Sequence, residues 1–238
     1  MDASIDIRGL LERLGTRYNS LSAAQLDQLA DVLSALSLDE HAPTAVREPP
    51  QAVDVHLADS LVALELEIVR EAGEIADIGA GAGFPGLALA VALPGSTVRL
   101  VESQARKCAF IERVVAAARI ENAEAVCARA EEWPEGIVAH DVVLARALAP
   151  QPIVLEYAAP LLRLGGALVD WRGRRDPEEE RIALEAAELL GLKRESIRRV
   201  EPYEGVRDHH VHLYMKVRET PDRFPRRVGM ARKKPLAT

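Results

Sequence analysis

The chain has 238 residues, 48% apolar and 28% charged, a balance that fits one large folded domain and excludes extensive disorder. No run of 18 apolar residues occurs, and the opening MDASIDIRGL is acidic where a signal peptide is basic, so a cytoplasmic protein without a membrane span is expected. The net charge of −7 is unevenly held: residues 218 to 238 carry +5 and the rest −12, which suits a polyanion-binding tail or a solvated end.

Two helices come first, IDIRGLLERLG and SAAQLDQLADVLSAL, the second with Ser22 as its N-cap. A loop follows in DEHAPTAVREPP. QAVDVHLADSLVALELEIVREAG then reads as one amphipathic helix ending at Gly73. Beyond it the rhythm changes. EIADI, TVRLVE, AEAVCA, DVVLARA and ALVDWRG read as strands. The helices FPGLALAVAL, QARKCAFIERVVAAARI and PIVLEYAAPLLRLGG, the last closed by glycines, fall between them. After the helix DPEEERIALEAAELLG, with its acidic first turn, KRESIRRVEPY and HHVHLYMKVRE are spaced to pair antiparallel. This alternation predicts an α/β fold, a mostly parallel sheet with helices on both faces, whose ligands sit beyond the strand C-termini.

The loop after EIADI carries G-x-G-x-G at Gly79, Gly81 and Gly83, and G-x-G-x-x-G at Gly81, Gly83 and Gly86. The second pattern suits a dinucleotide pyrophosphate at a helix start. The first suits S-adenosylmethionine (SAM), which has no phosphate. Asp77 separates the two, since a carboxylate there would repel phosphates but accept the SAM ammonium. Its alternative role is a cap for the turn. Glu102, ending the second strand, accepts ribose hydroxyls in either case. No hydride-transfer site is evident, which favours SAM. The two cysteines, Cys108 and Cys127, lack metal-type spacing. In HHVH, His210 and His212 share a strand face without a third ligand, so no metal is expected.

Several segments together resemble the bacterial 16S rRNA guanine-N7 methyltransferases (the RsmG, or glucose-inhibited division protein B, family). They are ADIGAGAGFPGLALA, VESQARKCAFI, ARAEEW, LARALAP, HLADSL, LLRLGGALVDWRG and the ending TPDRFPRRVGMARKKPL, spanning about Thr44 to the end. The resemblance implies a Rossmann-like class I SAM-dependent methyltransferase with a seven-stranded sheet. It further implies a helical extension over residues 1–73, a SAM-binding domain over 74–217 and a basic tail over 218–238. Asp77, Gly79, Gly81, Gly83 and Phe84 would form the SAM loop, and Glu102 would hold the ribose. Ala130 and Glu131 would lie along the adenine, and Arg146 would face cofactor and target base. His56 and Asp59 would approach the mouth of the site, although His56 also reads as a core histidine and Arg146 as a structural ion-pair partner.

The implied substrate is a guanine in the decoding-region loop of 16S rRNA, free or in the small ribosomal subunit, and the implied state is a monomer. Guanine N7 has a lone pair and no proton, so alignment rather than a base would drive transfer. Arg146 or Arg172 would reach O6 or a phosphate, and Asp59 or Glu131 would offset the charge left on the purine. Arg146→Ala should lower transfer sharply while the fold survives. Arg223, Arg226, Arg227, Arg232, Lys233 and Lys234 would lie along rRNA phosphates. The chain departs from the family in four places. Members usually carry N-L-T where residues 42–44 read APT, starting at Ala42, and R-H at Val55-His56. They carry lysine-glycine at Arg172-Gly173, and E-R-H where DHHVH, with His209, stands here. The rival readings are a SAM enzyme for a small molecule or protein, and a non-catalytic ribosome-binding module.

Overall fold

Seven strands form one sheet: β1 (Glu74–Ile78), β2 (Thr97–Val101), β3 (Ala123–Val126), β4 (His140–Arg146), β5 (Leu162–Arg172), β6 (Leu192–Arg199) and β7 (His210–Lys216). The structure is a computed structural model and describes residues 7–18 and 21–237. The sheet order is β3-β2-β1-β4-β5-β7-β6, with β1 to β5 parallel and β7 antiparallel to both β5 and β6. From β1 the chain steps outward through β2 and β3, then returns to β4 on β1's other side. The strand order therefore reverses between β1 and β4, and a crevice opens at their C-terminal ends.

Period-two alternation sends successive strand residues to opposite faces. Ile75, Leu100, Val142, Leu144 and Val169 face a core that also holds Leu29, Val32, Leu36, Leu57, Leu61, Leu87, Phe110 and Ile111. Ala76, Ile78, Val143, Leu168 and Tyr214 face the opposite layer, against Val154, Leu155, Ala183 and Ala187. The N-terminal helices Ile7–Arg17 and Ala23–Leu38 thus share one core with the sheet rather than standing apart from it. Ser22 caps the second helix in a capping box with Gln25. Ile5 and Asp6 of the predicted first helix lie outside the described residues.

Two predicted elements differ. The stretch 51–73 is not one amphipathic helix. It is a chain of short turns: Pro49–Ala52, a π-helical segment Val53–Ala58, Asp59–Leu61, a 3-10 turn Val62–Glu65 and Glu67–Arg70. Its centre is buried nearly all round, from Leu57 to Leu64, so no single apolar stripe governs its geometry. The predicted helix 152–166 stops at Ala158, and β5 begins at Leu162. Gly165 and Gly166 sit at a register shift of β5 against β4 rather than at a helix end. A Cβ on Gly166 would lie 2.7 Å from the Asp141 carbonyl oxygen.

The basic tail is folded onto the body. Phe224 and Ala231 are buried in the second core layer. Arg226 makes a two-pronged ion pair with the buried Glu156 (Nε to Oε1 and Nη2 to Oε2, both 2.5 Å). Removing one partner of such a pair strands the other charge. Arg226→Ala is therefore expected to cost about 3 kcal/mol in urea unfolding, whatever its effect on RNA.

Candidate active site

The crevice at the switch point is built from the ends of β1, β2 and β4. Asp77, next to last in β1, is 1% exposed and accepts the Gly86 N–H at 2.8 Å. A Cβ on Gly86 would lie 2.8 Å from that same carboxylate oxygen, so the third glycine of G-x-G-x-x-G serves Asp77 rather than a pyrophosphate. Within the loop, a Cβ on Gly79 or Gly83 would strike Leu148 or Leu87 at 2.4 and 2.3 Å. One on Gly81 meets only the Gly79 carbonyl oxygen, at 3.7 Å, so Gly81 leaves room for a ligand.

Glu102 follows β2. Its Oε2 accepts the Gly81 N–H at 3.2 Å and its Oε1 the Gln104 N–H at 2.9 Å, with Lys107 Nζ 3.7 Å from Oε2. The carboxylate is thereby held in place beside the glycine loop. A cleft runs past the strand ends, lined by Gly79, Ser103, Ala130, Glu131, Leu148 and Tyr157. Ala130 and Glu131 form its rim in a 3-10 turn, and Glu131 accepts the Gly229 N–H of the tail at 3.3 Å. Arg232 also lines this cleft, a tail position that the sequence suggested only for phosphates.

Arg146 ends β4. Its Nη1 donates to Asp59 Oδ2 at 2.8 Å and to the Val55 carbonyl at 3.0 Å. Asp59 is 6% exposed, and its backbone carbonyl accepts the Trp171 indole N–H at 2.9 Å. Phe84 stacks face to face on His56 (centroids 4.6 Å apart, planes 11° apart). His56 Nε2 lies 3.1 Å from the Val46 carbonyl, and Nδ1 is buried without a partner among the described residues. Burial pushes the His56 ring below the usual imidazole range, against the pull of the Val46 bond, so it sits neutral in the wall. Burial also drives Asp77 up to about 7, against the Gly86 N–H and the positive Arg146 that pull it down, with Glu102 adding to the rise. Arg146 and Glu102 therefore both act electrostatically on Asp77 across the switch point.

The expected site residues divide into two groups. The structure brings together Asp77, Gly79, Gly81, Gly83, Phe84 and Glu102, with Arg146, His56 and Asp59 on the β4 side. Arg172 turns away: Nη1 donates to the Ala149 carbonyl at 2.8 Å and Nη2 pairs with Glu179. Arg226 is spent on Glu156, while Arg223, Arg227, Arg232, Lys233 and Lys234 lie at least partly open to solvent. His210 Nδ1 lies 3.0 Å from the Gly173 carbonyl and His212 Nδ1 3.0 Å from Gln151 Nε2. Among the described residues no three His, Cys, Asp or Glu are grouped to hold a metal ion. Sequence reasoning gave no role to Trp171, although it lies in the LLRLGGALVDWRG segment, or to Tyr157, and it read Gly86 as part of a phosphate-type pattern rather than as the partner of Asp77.

A seven-stranded sheet with this order, its glycine loop after β1 and a carboxylate after β2, defines the Rossmann-like class I methyltransferase fold. Solved structures agree on the fold. An Aquifex aeolicus SAM-dependent methyltransferase superposes with a TM-score of 0.56 at 19% identity, over 71% of this chain and 94% of that one. A Thermotoga maritima SAM-dependent O-methyltransferase gives 0.56 at 16%, over 74% and 72%. A family model, rRNA small subunit methyltransferase G (GidB), matches residues 22–208. Proteins named ribosomal RNA small subunit methyltransferase G are similar along nearly the whole length. The one from Clostridium novyi is 31% identical (94% of this chain, 93% of that one), and the one from Thermotoga neapolitana 33% (97% and 98%). The chain belongs to the rRNA small subunit methyltransferase G family.

Proposed function

We propose that this protein transfers a methyl group from SAM to N7 of a guanine in the decoding-region loop of 16S rRNA. The observation that carries the reading is the meeting of the Asp77–glycine loop with the Arg146–Asp59 pair at one switch point, in a member of this family. The residues present suit SAM: a buried carboxylate for an ammonium, a glycine without a side chain at the open edge, and Glu102 held ready for ribose hydroxyls. SAM supplies an electrophilic methyl on a sulfonium sulfur. Guanine N7 offers a lone pair with no proton to remove, so the transfer needs no base. The protein's work is then alignment, which reaches about 7–11 kcal/mol at its best. Arg146 has donors beyond Nη1 to offer O6 or a neighbouring phosphate, leaving N7 free. Asp59 offsets the charge left on the methylated purine.

In this reading the part up to residue 73 supplies the substrate-side wall, residues 74–217 hold the cofactor, and the solvent-facing tail cations lie along rRNA phosphates. Replacing Arg227, Lys233 and Lys234 by Gln should flatten the salt dependence of small-subunit binding by about 0.7–0.9 for each phosphate no longer neutralised, without changing urea unfolding. An unchanged slope would remove the tail from the interface. The reading as a whole is tested by mapping N7-methylguanosine in 16S rRNA from cells with and without this gene. Loss of one such nucleotide is expected. An unchanged map with methylation of a small molecule or protein, or subunit binding without SAM affinity, would point to the rival functions.

A further inference from the structure

We propose that His209 is a positioning residue which shares Asp59 with Arg146 and makes engagement of the RNA depend on pH. The proposal rests on the reading above, in which Arg146 faces the target base. It starts from an imbalance at Asp59. The carboxylate is buried, Oδ2 receives Arg146, and Oδ1 has no hydrogen-bond partner among the described residues although it too is sealed from solvent. A buried carboxylate oxygen left unbonded is costly unless charge compensates it.

The group facing Oδ1 is His209 Nδ1, at 3.4 Å, ion-pair range without hydrogen-bond geometry. His209 precedes β7, and its carbonyl accepts the Val200 N–H at 3.0 Å, which ties its backbone to the end of β6. Tyr203 meets the ring edge-on at 6.4 Å. About a third of the side chain is exposed, while its partner Asp59 is buried. The other charges in this corner are Asp54 and the neutral His56 on the π-helical segment, Arg146 at the end of β4, and Arg207 and Asp208 just ahead in the chain.

Imidazole is the side chain that changes charge near neutral pH. When His209 is protonated, Asp59 carries a cation on each oxygen, and Arg146 is drawn to it less strongly. Its free donors then meet the RNA with more of their charge uncompensated. When His209 is neutral, Arg146 is the sole cation paired with Asp59 among the described residues, and the corner is one unit more negative towards a polyanion.

The test is methyl transfer to small subunits lacking the modification, followed from pH 6 to 8. In the natural protein kcat/KM should fall about fivefold over this range, mostly through a rise in KM, because His209 does not touch the reacting atoms. His209→Arg should hold the acidic plateau throughout, and His209→Gln the alkaline one. Either variant retaining the natural profile overturns the proposal. A second readout needs no RNA. In urea unfolding at pH 6, His209→Gln should cost less stability in an Asp59→Asn background than in the natural protein, since the facing anion is gone. Equal costs in the two backgrounds overturn the coupling. Absence of methyl transfer by every form at every pH would count against the RNA reading, and the unfolding cycle would then decide the His209–Asp59 coupling alone.

Discussion

Asp77→Asn is expected to weaken SAM binding by about ten- to a hundredfold while making the protein more stable at pH 8. The two effects have one cause. Asp77 lies buried at the foot of the glycine loop, and burial raises it to about 7, overriding the Gly86 N–H and Arg146 that hold it down. Its ordinary value is 3.8. Between these two values the folded protein binds a proton that the unfolded chain has released, so stability falls as pH rises from about 4 to 7. At pH 8 the full cost of a buried anion is borne. Asparagine removes that cost and still offers an oxygen to the Gly86 N–H, so the loop keeps its anchor. A ligand ammonium, by contrast, loses a charged partner, and a hydrogen bond to a charged group contributes about 1.5–3 kcal/mol. Calorimetric titration with SAM and urea unfolding at pH 5 and 8 read the two effects. SAM affinity of the natural protein should also strengthen as pH rises through 7, and that of the variant should not. Asp170 is the control. Burial raises it to about 7 as well, but it is bonded to Gln151 behind β5, away from the loop. Asp170→Asn should flatten the same stability profile and leave SAM affinity alone. Unchanged affinity in Asp77→Asn would reduce Asp77 to an anchor for the loop.

The parts of this site that were legible in the sequence are those fixed by local rules. Asp77, Glu102 and Arg146 each sit at or beside the end of a short apolar strand, and strand–helix alternation places such ends on one edge of a parallel sheet. The glycines announced a tight loop, though not that Gly86 is there for Asp77. What was not legible depends on partners far away in the chain. The segment around His56 and Asp59 read as one amphipathic helix, whereas its enclosure between the sheet and the N-terminal helices goes with a chain of short turns. Gly165 and Gly166 looked like a helix stop because a β-bulge uses glycine for the same steric reason. The tail looked free because its anchor, Glu156, lies 70 residues upstream inside a helix of apolar neighbours.

The second large effect is expected at Arg146, and the structure changes how it must be measured. Arg146→Ala should reduce methyl transfer at least about a hundredfold, the scale seen when a preorganised donor is lost from an active site. The sequence suggested that the fold would survive, but stability should fall too, because Asp59 is buried with Arg146 as its sole hydrogen-bonded cation among the described residues. Stranding that carboxylate costs about 3–5 kcal/mol, a large share of a typical domain's stability. Lost activity in the single variant would therefore be ambiguous. Arg146→Met combined with Asp59→Asn removes both charges and keeps the volume, and such replacements of buried pairs are often neutral for stability. The double variant should unfold in urea near the natural midpoint and still fail to methylate small subunits. Arg146→Lys keeps the charge but not the planar fork, so it should fold and transfer at a rate between the two. A stable double variant that methylates at the natural rate would reduce Arg146 to a structural ion pair, and the alignment of the target base would then have to come from other donors.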